Sequence, residues 1–166
     1  MIPTKLRSSP EKILLPMGFS FSALAAGTFG GRAHYICCGV VCLMKVLLVD
    51  DSKLARMAMT KALNLARPDW SRVEAANAEE AVAQVKSALP DIAVVDFNMP
   101  GTDGLALAGE VSALRPQMPI AIISANFQQE IVDRARAIGA AFLPKPVTDH
   151  ALEEFLSDAE QKLKRT

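Results

Sequence analysis

The chain has 166 residues, enough for one domain with a hydrophobic core and an appendage. Its formal net charge is zero, but the charge is unevenly placed: residues 1–43 carry four basic and one acidic residue, whereas residues 44–166 carry 14 basic and 17 acidic residues. A mildly acidic main segment argues against nucleic acid as a partner. The only cysteines, Cys37, Cys38 and Cys42, form no disulfide framework, so we expect a reducing, cytoplasmic setting.

Residues 1–43 differ in composition from the rest of the chain. Basic residues followed by short apolar runs imitate a secretory signal. Interspersed prolines, glycines and serines argue against a transmembrane helix. Met44 directly precedes the first predicted strand and is a candidate for the natural start. We therefore expect residues 1–43 to be an extension of uncertain order. A translation start upstream of the natural one is favoured over a functional secretory signal as its explanation.

Residues 44–166 alternate between strand and helix patterns. Continuous apolar runs are typical of strands buried on both faces, as in parallel sheets, and the helical patterns begin at capping residues and end near proline or glycine. The predicted strands cover 45–49, 72–76, 92–96, 120–124 and 141–143. The predicted helices cover 53–66, 78–88, 103–115, 127–138 and 149–164. Strict alternation of five strands and five helices predicts an α/β fold with a doubly wound parallel sheet.

Polar side chains follow four of the predicted strands at their C-terminal ends. The adjacent carboxylates of Asp50 and Asp51 follow the first strand, and the three other strand ends carry Asp96, Ser124 and Lys145. These ends lie together in the crevice where open parallel sheets bind ligands. Adjacent like charges contribute nothing favourable to folding, so the pattern indicates a cation against the carboxylates.

The residue types in this crevice indicate phosphoryl chemistry. Carboxylate oxygens suit Mg²⁺, a hard ion that often pairs with phosphate. Lys145 adds a positive charge, and Ser124 adds a hydroxyl that can donate to an anion. In such a site an aspartate can itself be the nucleophile and form an acyl phosphate, while the protein positions the group and neutralises its charge.

The segment 44–166 resembles a receiver domain of two-component response regulators, of the stand-alone chemotaxis type. The matching elements occur in the family's order: Asp50-Asp51, the run Asp96–Gly104, Ser124-Ala125 and Lys145-Pro146. The resemblance implies a flavodoxin-like five-stranded sheet with strand order 2-1-3-4-5. It also implies a cis peptide bond between Lys145 and Pro146.

The resemblance further implies a metal site and a phosphoacceptor. Asp96 is expected to accept the phosphoryl group and to share in binding Mg²⁺. Asp51 is expected to bind the ion directly, Asp50 largely through a water molecule, and Asn98 through its backbone carbonyl.

Three further residues have roles implied by the resemblance. Lys145 is expected to pair with the phosphoryl group, and Ser124 to be the switch hydroxyl. Phe142, three residues before Lys145, occupies the position of the family's aromatic switch residue, although simple packing at the sheet edge explains it equally well.

The expected function is a phosphorylation switch. A sensor histidine kinase would donate the phosphoryl group to Asp96, and a downstream protein would bind the surface of the fourth helix, fifth strand and fifth helix. We expect no nucleic-acid or membrane partner and no enzymatic activity beyond the domain's own phosphorylation and dephosphorylation.

Two alternatives remain open from the sequence. One is a phosphorelay intermediate that passes the phosphoryl group on. The other, from a different class, is a phosphatase-like enzyme of the haloacid dehalogenase type with an aspartate nucleophile. That family uses an Asp-x-Asp pair after its first strand, but here Ser52 lies two residues after Asp50, and Lys53 two residues after Asp51.

Overall fold

The computed structural model describes residues 44–126 and 128–165, together with four two-residue strands between residues 28 and 41. The short strands form two antiparallel pairs, Thr28–Phe29 with Arg32–Ala33 and Ile36–Cys37 with Val40–Val41. The other residues of the 1–43 extension lie outside the described part of the chain. Its expected uncertain order and non-native origin therefore stay predictions.

The alternation of strands and helices after Met44 is confirmed for the main sheet, and one antiparallel pair of two-residue strands, Asn98–Met99 with Thr102–Asp103, is added before the third helix. The strands of the main sheet are β1 (Lys45–Val49), β2 (Ser71–Ala75), β3 (Ile92–Asp96), β4 (Ile120–Ser124) and β5 (Ala141–Pro144). The helices are α1 (Lys53–Ala66), α2 (Ala78–Ser87), α3 (Gly104–Leu114), α4 (Gln129–Ala137) and α5 (Asp149–Lys164).

The five strands form one parallel sheet with the order β2-β1-β3-β4-β5, so the predicted order 2-1-3-4-5 is correct. In this register Val49 lies opposite Val95, and Ile123 lies opposite Asp96. The ends of β1, β3 and β4 are therefore level with one another. The polar residues at or after these ends meet at one edge of the sheet, as ligand sites do in open α/β folds.

Alternate strand residues pack on opposite faces of the sheet, because successive side chains of a strand point to opposite sides. Leu47 and Val49 belong to the core that includes residues of α2, α3 and α4. Val46 and Leu48 belong to the core that includes residues of α1 and α5. The helices thus form layers on both faces of the sheet, as expected for a doubly wound fold.

Side-chain caps define the starts of four helices. The side chains that accept a hydrogen bond from a backbone amide in the first turn are those of Ser52, Asn77, Asp103 and Thr148. The boundaries of β2, β5, α2, α3 and α4 differ by one or two residues from the prediction. Strand β2 begins at Ser71, and because it is a half-exposed edge strand, its apolar pattern is weak. Helix α4 begins at Gln129 because Gln128 has extended backbone angles.

None of the described helices combines the length and the apolar character needed to cross a membrane. The peptide bond between Lys145 and Pro146 is cis, as the resemblance implied.

Candidate functional site

Three carboxylates meet at the C-terminal edge of the sheet. Asp50 and Asp51 follow β1, Asp96 ends β3, and one oxygen of each lies within 4.8 Å of the others. Asp96 is buried, Asp50 is partly buried and Asp51 is exposed. This places together the acidic residues that the sequence predicted to be neighbours. Their mutual repulsion favours binding of a cation from the solvent side.

Asp50 and Asp51 differ in how their carboxylates are held. Oδ1 of Asp50 accepts a hydrogen bond from the backbone amide of Ser52 at 2.8 Å, and Oδ2 accepts one from Nζ of Lys145 at 3.2 Å. Within residues 44–126 and 128–165, the carboxylate of Asp51 makes no hydrogen bond or ion pair. Asp51 is therefore the carboxylate most open to a metal ion.

Lys145 connects the acidic residues to β4. Its Nζ lies 3.0 Å from Oδ1 of Asp96 as well as near Asp50. Its backbone amide donates to the carbonyl oxygen of Ser124 at 2.8 Å. The lysine is thereby anchored at the end of the sheet, with its ammonium group between two carboxylates.

Burial and charge act in opposite directions on this ion pair. Burial raises the pKa of Asp96 above its ordinary value, and the nearby charge of Asp50 adds to the effect, whereas Lys145 and the amide of Asn98 oppose it. For Lys145 burial alone would lower the pKa, but the hydrogen bonds and charges of Asp96 and Asp50 outweigh it and raise the pKa. The charged form of Asp96 is thus incompletely compensated, and an added cation would stabilise it.

Ser124 lies at the end of β4 and is fully buried. Its Oγ accepts a hydrogen bond from the backbone amide of Asn126 at 3.0 Å, and Oδ1 of Asn126 accepts one from the amide of Gln128 at 3.2 Å. A serine hydroxyl that accepts one hydrogen bond still has its own proton to donate. The side chain is therefore held in a local turn while it keeps the donor that the prediction requires.

Asn98 and Phe142 lie at the margins of the site. Asn98 is exposed, and its backbone amide approaches Oδ1 of Asp96 at 3.4 Å. Phe142 lies opposite Ile122 in the sheet and is partly buried against the core that includes α4. The metal-binding role of the Asn98 carbonyl and the switch role of Phe142 stay predictions.

Two further residues shape the site and were missed by the sequence analysis. Arg56 of α1 donates from Nη1 to the backbone carbonyl of Asp50 at 2.7 Å. Gly104, the first residue of α3, approaches the main chain of Asp96 and Phe97 so closely that a Cβ atom would collide with both. In the sequence, Gly104 is recognisable only as a residue near the start of a predicted helix. No sequence pattern indicates the role of Arg56.

The chemistry of the donor set fits Mg²⁺. All three converging groups are carboxylates, and Mg²⁺ prefers oxygen ligands from one or two carboxylates with water and phosphate completing its shell. A thiolate or imidazole cluster, which would suit zinc, does not occur among the described residues.

Comparisons with known proteins agree with this geometry. Residues 46–157 match the family described as response regulator receiver domain. The positive alginate biosynthesis regulatory protein of Pseudomonas aeruginosa is 36% identical over 120 residues, which cover 70% of this chain and 47% of that protein. The protein-glutamate methylesterase/protein-glutamine glutaminase of Nitrosomonas europaea is 34% identical over 128 residues, which cover 73% of this chain and 35% of that protein.

A solved structure is similar along its whole length. The chemotaxis protein CheY4 of Vibrio cholerae superposes with a TM-score of 0.63 at 28% identity, covering 70% of this chain and 98% of that chain. This chain, in contrast, spans about half or less of the two curated relatives. The family match covers more than half of the chain and includes every predicted strand end. The chain therefore belongs to the response regulator receiver domain family.

Proposed function

We propose that Asp96 is the residue that accepts a phosphoryl group. The observation that supports this best is its position: Asp96 is buried at the end of β3, close to the carboxylates of Asp50 and Asp51 and to the ammonium of Lys145. Asp50 is held by Ser52 and Lys145, and Asp51 is exposed and forms no ion pair with the described residues. Asp96 is the most deeply buried of the three carboxylates and lies beside the positive charge of Lys145.

The proposed reaction is an in-line displacement. A carboxylate oxygen of Asp96 attacks the phosphorus of a phosphohistidine, the P–N bond breaks, and the electron pair of that bond leaves with the imidazole nitrogen. Lys145 neutralises the negative charge of the transferred group, and Ser124 supplies a hydroxyl donor to one of its oxygens. Mg²⁺ held by Asp50, Asp51, Asp96 and the carbonyl of Asn98 would offset charge on the phosphoryl oxygens.

We also propose a docking surface for the phosphodonor on α1. Leu54 and Met57, three and six residues after Asp51, are 77% and 56% exposed, and Leu65 continues the same helix face at 75%. Exposed apolar side chains grouped on one face often mark protein interaction sites. A sensor histidine kinase that covers this face would bring its phosphohistidine to the adjacent acidic edge.

The output surface proposed for a downstream protein consists of α4, β5 and α5. An open groove of about 370 Å³ lies beside β5 and α5, and its lining residues include Phe142, Pro144, Phe155 and Lys162. Phe142 is partly buried there, and its strand β5 pairs directly with β4, which ends at Ser124. A change at the Ser124 hydroxyl can therefore reach this surface through a side chain that is already at its border.

Several broader features belong to the same proposal. We propose that residues 44–166 form the receiver domain and that 1–43 are dispensable for phosphorylation. We also propose a cytoplasmic protein with no catalytic activity beyond its own phosphorylation chemistry. Membership of the receiver family disfavours the phosphatase-like alternative. A phosphorelay intermediate remains the second candidate within the class.

The direct test uses a panel of purified, phosphorylated histidine kinases and the small donor acetyl phosphate. Wild-type protein is expected to accept phosphoryl from one kinase preferentially, and from acetyl phosphate in the presence of Mg²⁺. Leu54→Ala with Met57→Ala should slow transfer from the kinase but not from acetyl phosphate, whereas Leu114→Ala, an exposed leucine on α3, is the control. Equal slowing with both donors would contradict the docking surface. A protein that begins at Met44 should behave like the full chain.

A further inference from the structure

We infer that Arg56 is a positioning residue for the acidic edge: it fixes the peptide unit between Asp50 and Asp51 and thereby aims the Asp51 carboxylate at the metal. This inference rests on the proposed phosphorylation function, since it assigns a residue that prepares the metal site for that reaction.

The contacts of Arg56 support a fixed orientation. Its Nη1 donates to the carbonyl oxygen of Asp50 at 2.7 Å, and its Nε donates to Oε2 of Glu74 on β2 at 3.0 Å. The side chain is only 14% exposed. Thr60, one turn further along α1, donates from its hydroxyl to Oε1 of Glu74 at 3.3 Å. Glu74 is thus held by two residues of α1, and the planar guanidinium spans from β2 to the end of β1.

The peptide carbonyl is the group through which Arg56 acts on Asp51. The carbonyl of Asp50 and the backbone nitrogen of Asp51 belong to one planar unit. On the other side of Asp50, its amide donates to the carbonyl of Ala75 at 3.3 Å. With both of its flanking peptide groups held by hydrogen bonds, Asp50 presents a fixed plane to Asp51. The Asp51 carboxylate makes no hydrogen bond or ion pair with the described residues, so its direction depends on that plane.

The charge of Arg56 does not explain its position by itself. A free guanidinium beside three carboxylates would bind them directly and compete with a metal ion. Glu74 on β2 instead neutralises the charge of Arg56, and no ion pair joins Arg56 to a carboxylate of the acidic cluster. The pair therefore supplies a hydrogen bond to the backbone while adding no net positive charge to the site.

These two roles predict effects of opposite sign on metal binding. If Arg56 acted only as a nearby cation, its removal would tighten Mg²⁺ binding. If it positions the turn, its removal weakens binding, because residues that orient metal ligands typically contribute about 10- to 100-fold in affinity or activity. The sign of the change thus separates positioning from simple electrostatics.

The experiment compares Arg56→Met, Arg56→Lys and Arg67→Met. Arg67 is a matched control at the other end of α1: it also binds a backbone carbonyl, that of Ala66, and a glutamate, Glu153, but lies far from the acidic edge in the chain. Mg²⁺ affinity is measured by calorimetry. Hydrogen exchange of the Ser52 amide, which donates to Oδ1 of Asp50, is measured without metal.

Arg56→Met is expected to weaken Mg²⁺ binding about tenfold and to speed exchange of the Ser52 amide. Arg56→Lys keeps the charge but not the fork that reaches two acceptors, so it should weaken binding in the same direction and by less. Arg67→Met should leave both measurements unchanged even if it destabilises the fold. Unchanged or tighter binding in Arg56→Met overturns the inference, as does equal weakening in Arg67→Met.

Wild-type protein tests the proposed function, and Arg56→Met tests the positioning role of Arg56. If wild-type protein binds no Mg²⁺ but exchange of the Ser52 amide still changes in Arg56→Met, Arg56 does position the turn and the proposed function fails. If wild-type protein binds Mg²⁺ and accepts a phosphoryl group while neither measurement responds to Arg56→Met, the inference fails and the proposed function stands.

Discussion

Nζ of Lys145 lies 3.0 Å from Oδ1 of Asp96 and 3.2 Å from Oδ2 of Asp50, so one ammonium group bridges the ends of two neighbouring strands. Among the described residues, Lys145 is the only ion-pair partner of the acidic cluster. One positive charge faces three carboxylates, and the edge keeps an excess of negative charge. A divalent cation or a phosphoryl donor that approaches this edge would therefore encounter an excess of negative charge.

The buried charge of Asp96 is expected to cost stability when no metal is bound. Burial raises its pKa, so the folded state binds the proton more tightly than the unfolded chain. The penalty is absent below the ordinary aspartate pKa of 3.8, grows as the pH rises through the raised folded pKa, and is constant above it. Asp96→Asn should therefore be more stable than wild type near neutral pH, with a difference that shrinks in acid.

Urea unfolding with a metal chelator across the acidic range measures this difference. Asp133→Asn, an exposed aspartate on α4, is the control and should follow wild type. An Asp96→Asn protein that is less stable than wild type at neutral pH would show that Lys145 more than compensates the burial of Asp96.

Removal of Asp51 should weaken Mg²⁺ binding more than any other single change at the site. Asp51→Ala deletes the carboxylate that is most open to the ion, and an effect larger than about tenfold is expected because even residues that only orient ligands contribute that much. The same change relieves repulsion, so the metal-free protein should be equally or more stable. Calorimetry with Mg²⁺ measures the first effect and thermal unfolding the second.

The exposed Asp158 on α5 provides the control for Asp51. Asp158→Ala removes the same charge from the protein but not from the acidic edge. Equal Mg²⁺ affinity of the Asp51→Ala and Asp158→Ala proteins would exclude Asp51 as a direct ligand.

Gly104 is expected to tolerate no side chain. A Cβ atom there would overlap the main-chain oxygen of Asp96, which is backbone and cannot turn aside. Gly104→Ala should cost about 2–3 kcal/mol of unfolding free energy, as overpacking does, and should also weaken Mg²⁺ binding because Asp96 must shift. Gly109 lies in the same helix with open space around it. Gly109→Ala should stabilise the protein by about 0.5–1 kcal/mol, and a loss at Gly109 similar to that at Gly104 would contradict the steric argument.

The sequence predicts the strand ends well and their surroundings poorly. Asp96 and Ser124 each end an uninterrupted apolar run. The run identifies the strand, and the polar residue at its end identifies the functional side chain. Edge strand β2 has a half-exposed, mixed pattern, and its predicted range begins and ends one residue later than the observed strand.

Contacts that depend on tertiary approach leave no local pattern. Gly104 is needed only because α3 begins against the backbone of Asp96, and Arg56 reaches Asp50 only because α1 folds back over the end of β1. In the same way, the sequence indicates that Ser124 carries a hydroxyl but not that Asn126 donates to it. Such interactions become visible once the chain is folded.

Ser124 should couple phosphorylation to Phe142. When a phosphoryl group on Asp96 draws the Ser124 hydroxyl toward it, space opens that the neighbouring aromatic ring can enter, and the α4-β5-α5 surface changes. Ser124→Ala should therefore still accept a phosphoryl group, more slowly, but transmit less of the change. Amide shifts with and without beryllofluoride are the measurement. Shifts around Phe142 as large in Ser124→Ala as in wild type would mean that the coupling takes another route.

Mass spectrometry after incubation with acetyl phosphate and Mg²⁺ tests most directly whether Asp96 is the sole phosphoacceptor. Wild-type protein should gain one phosphoryl group, located at Asp96 after reduction of the acyl phosphate with borohydride. Asp96→Asn should gain none, while Asp51→Ala should still gain some at high Mg²⁺. Stable phosphorylation of Asp96→Asn, or modification of wild-type protein at another carboxylate, would contradict the account.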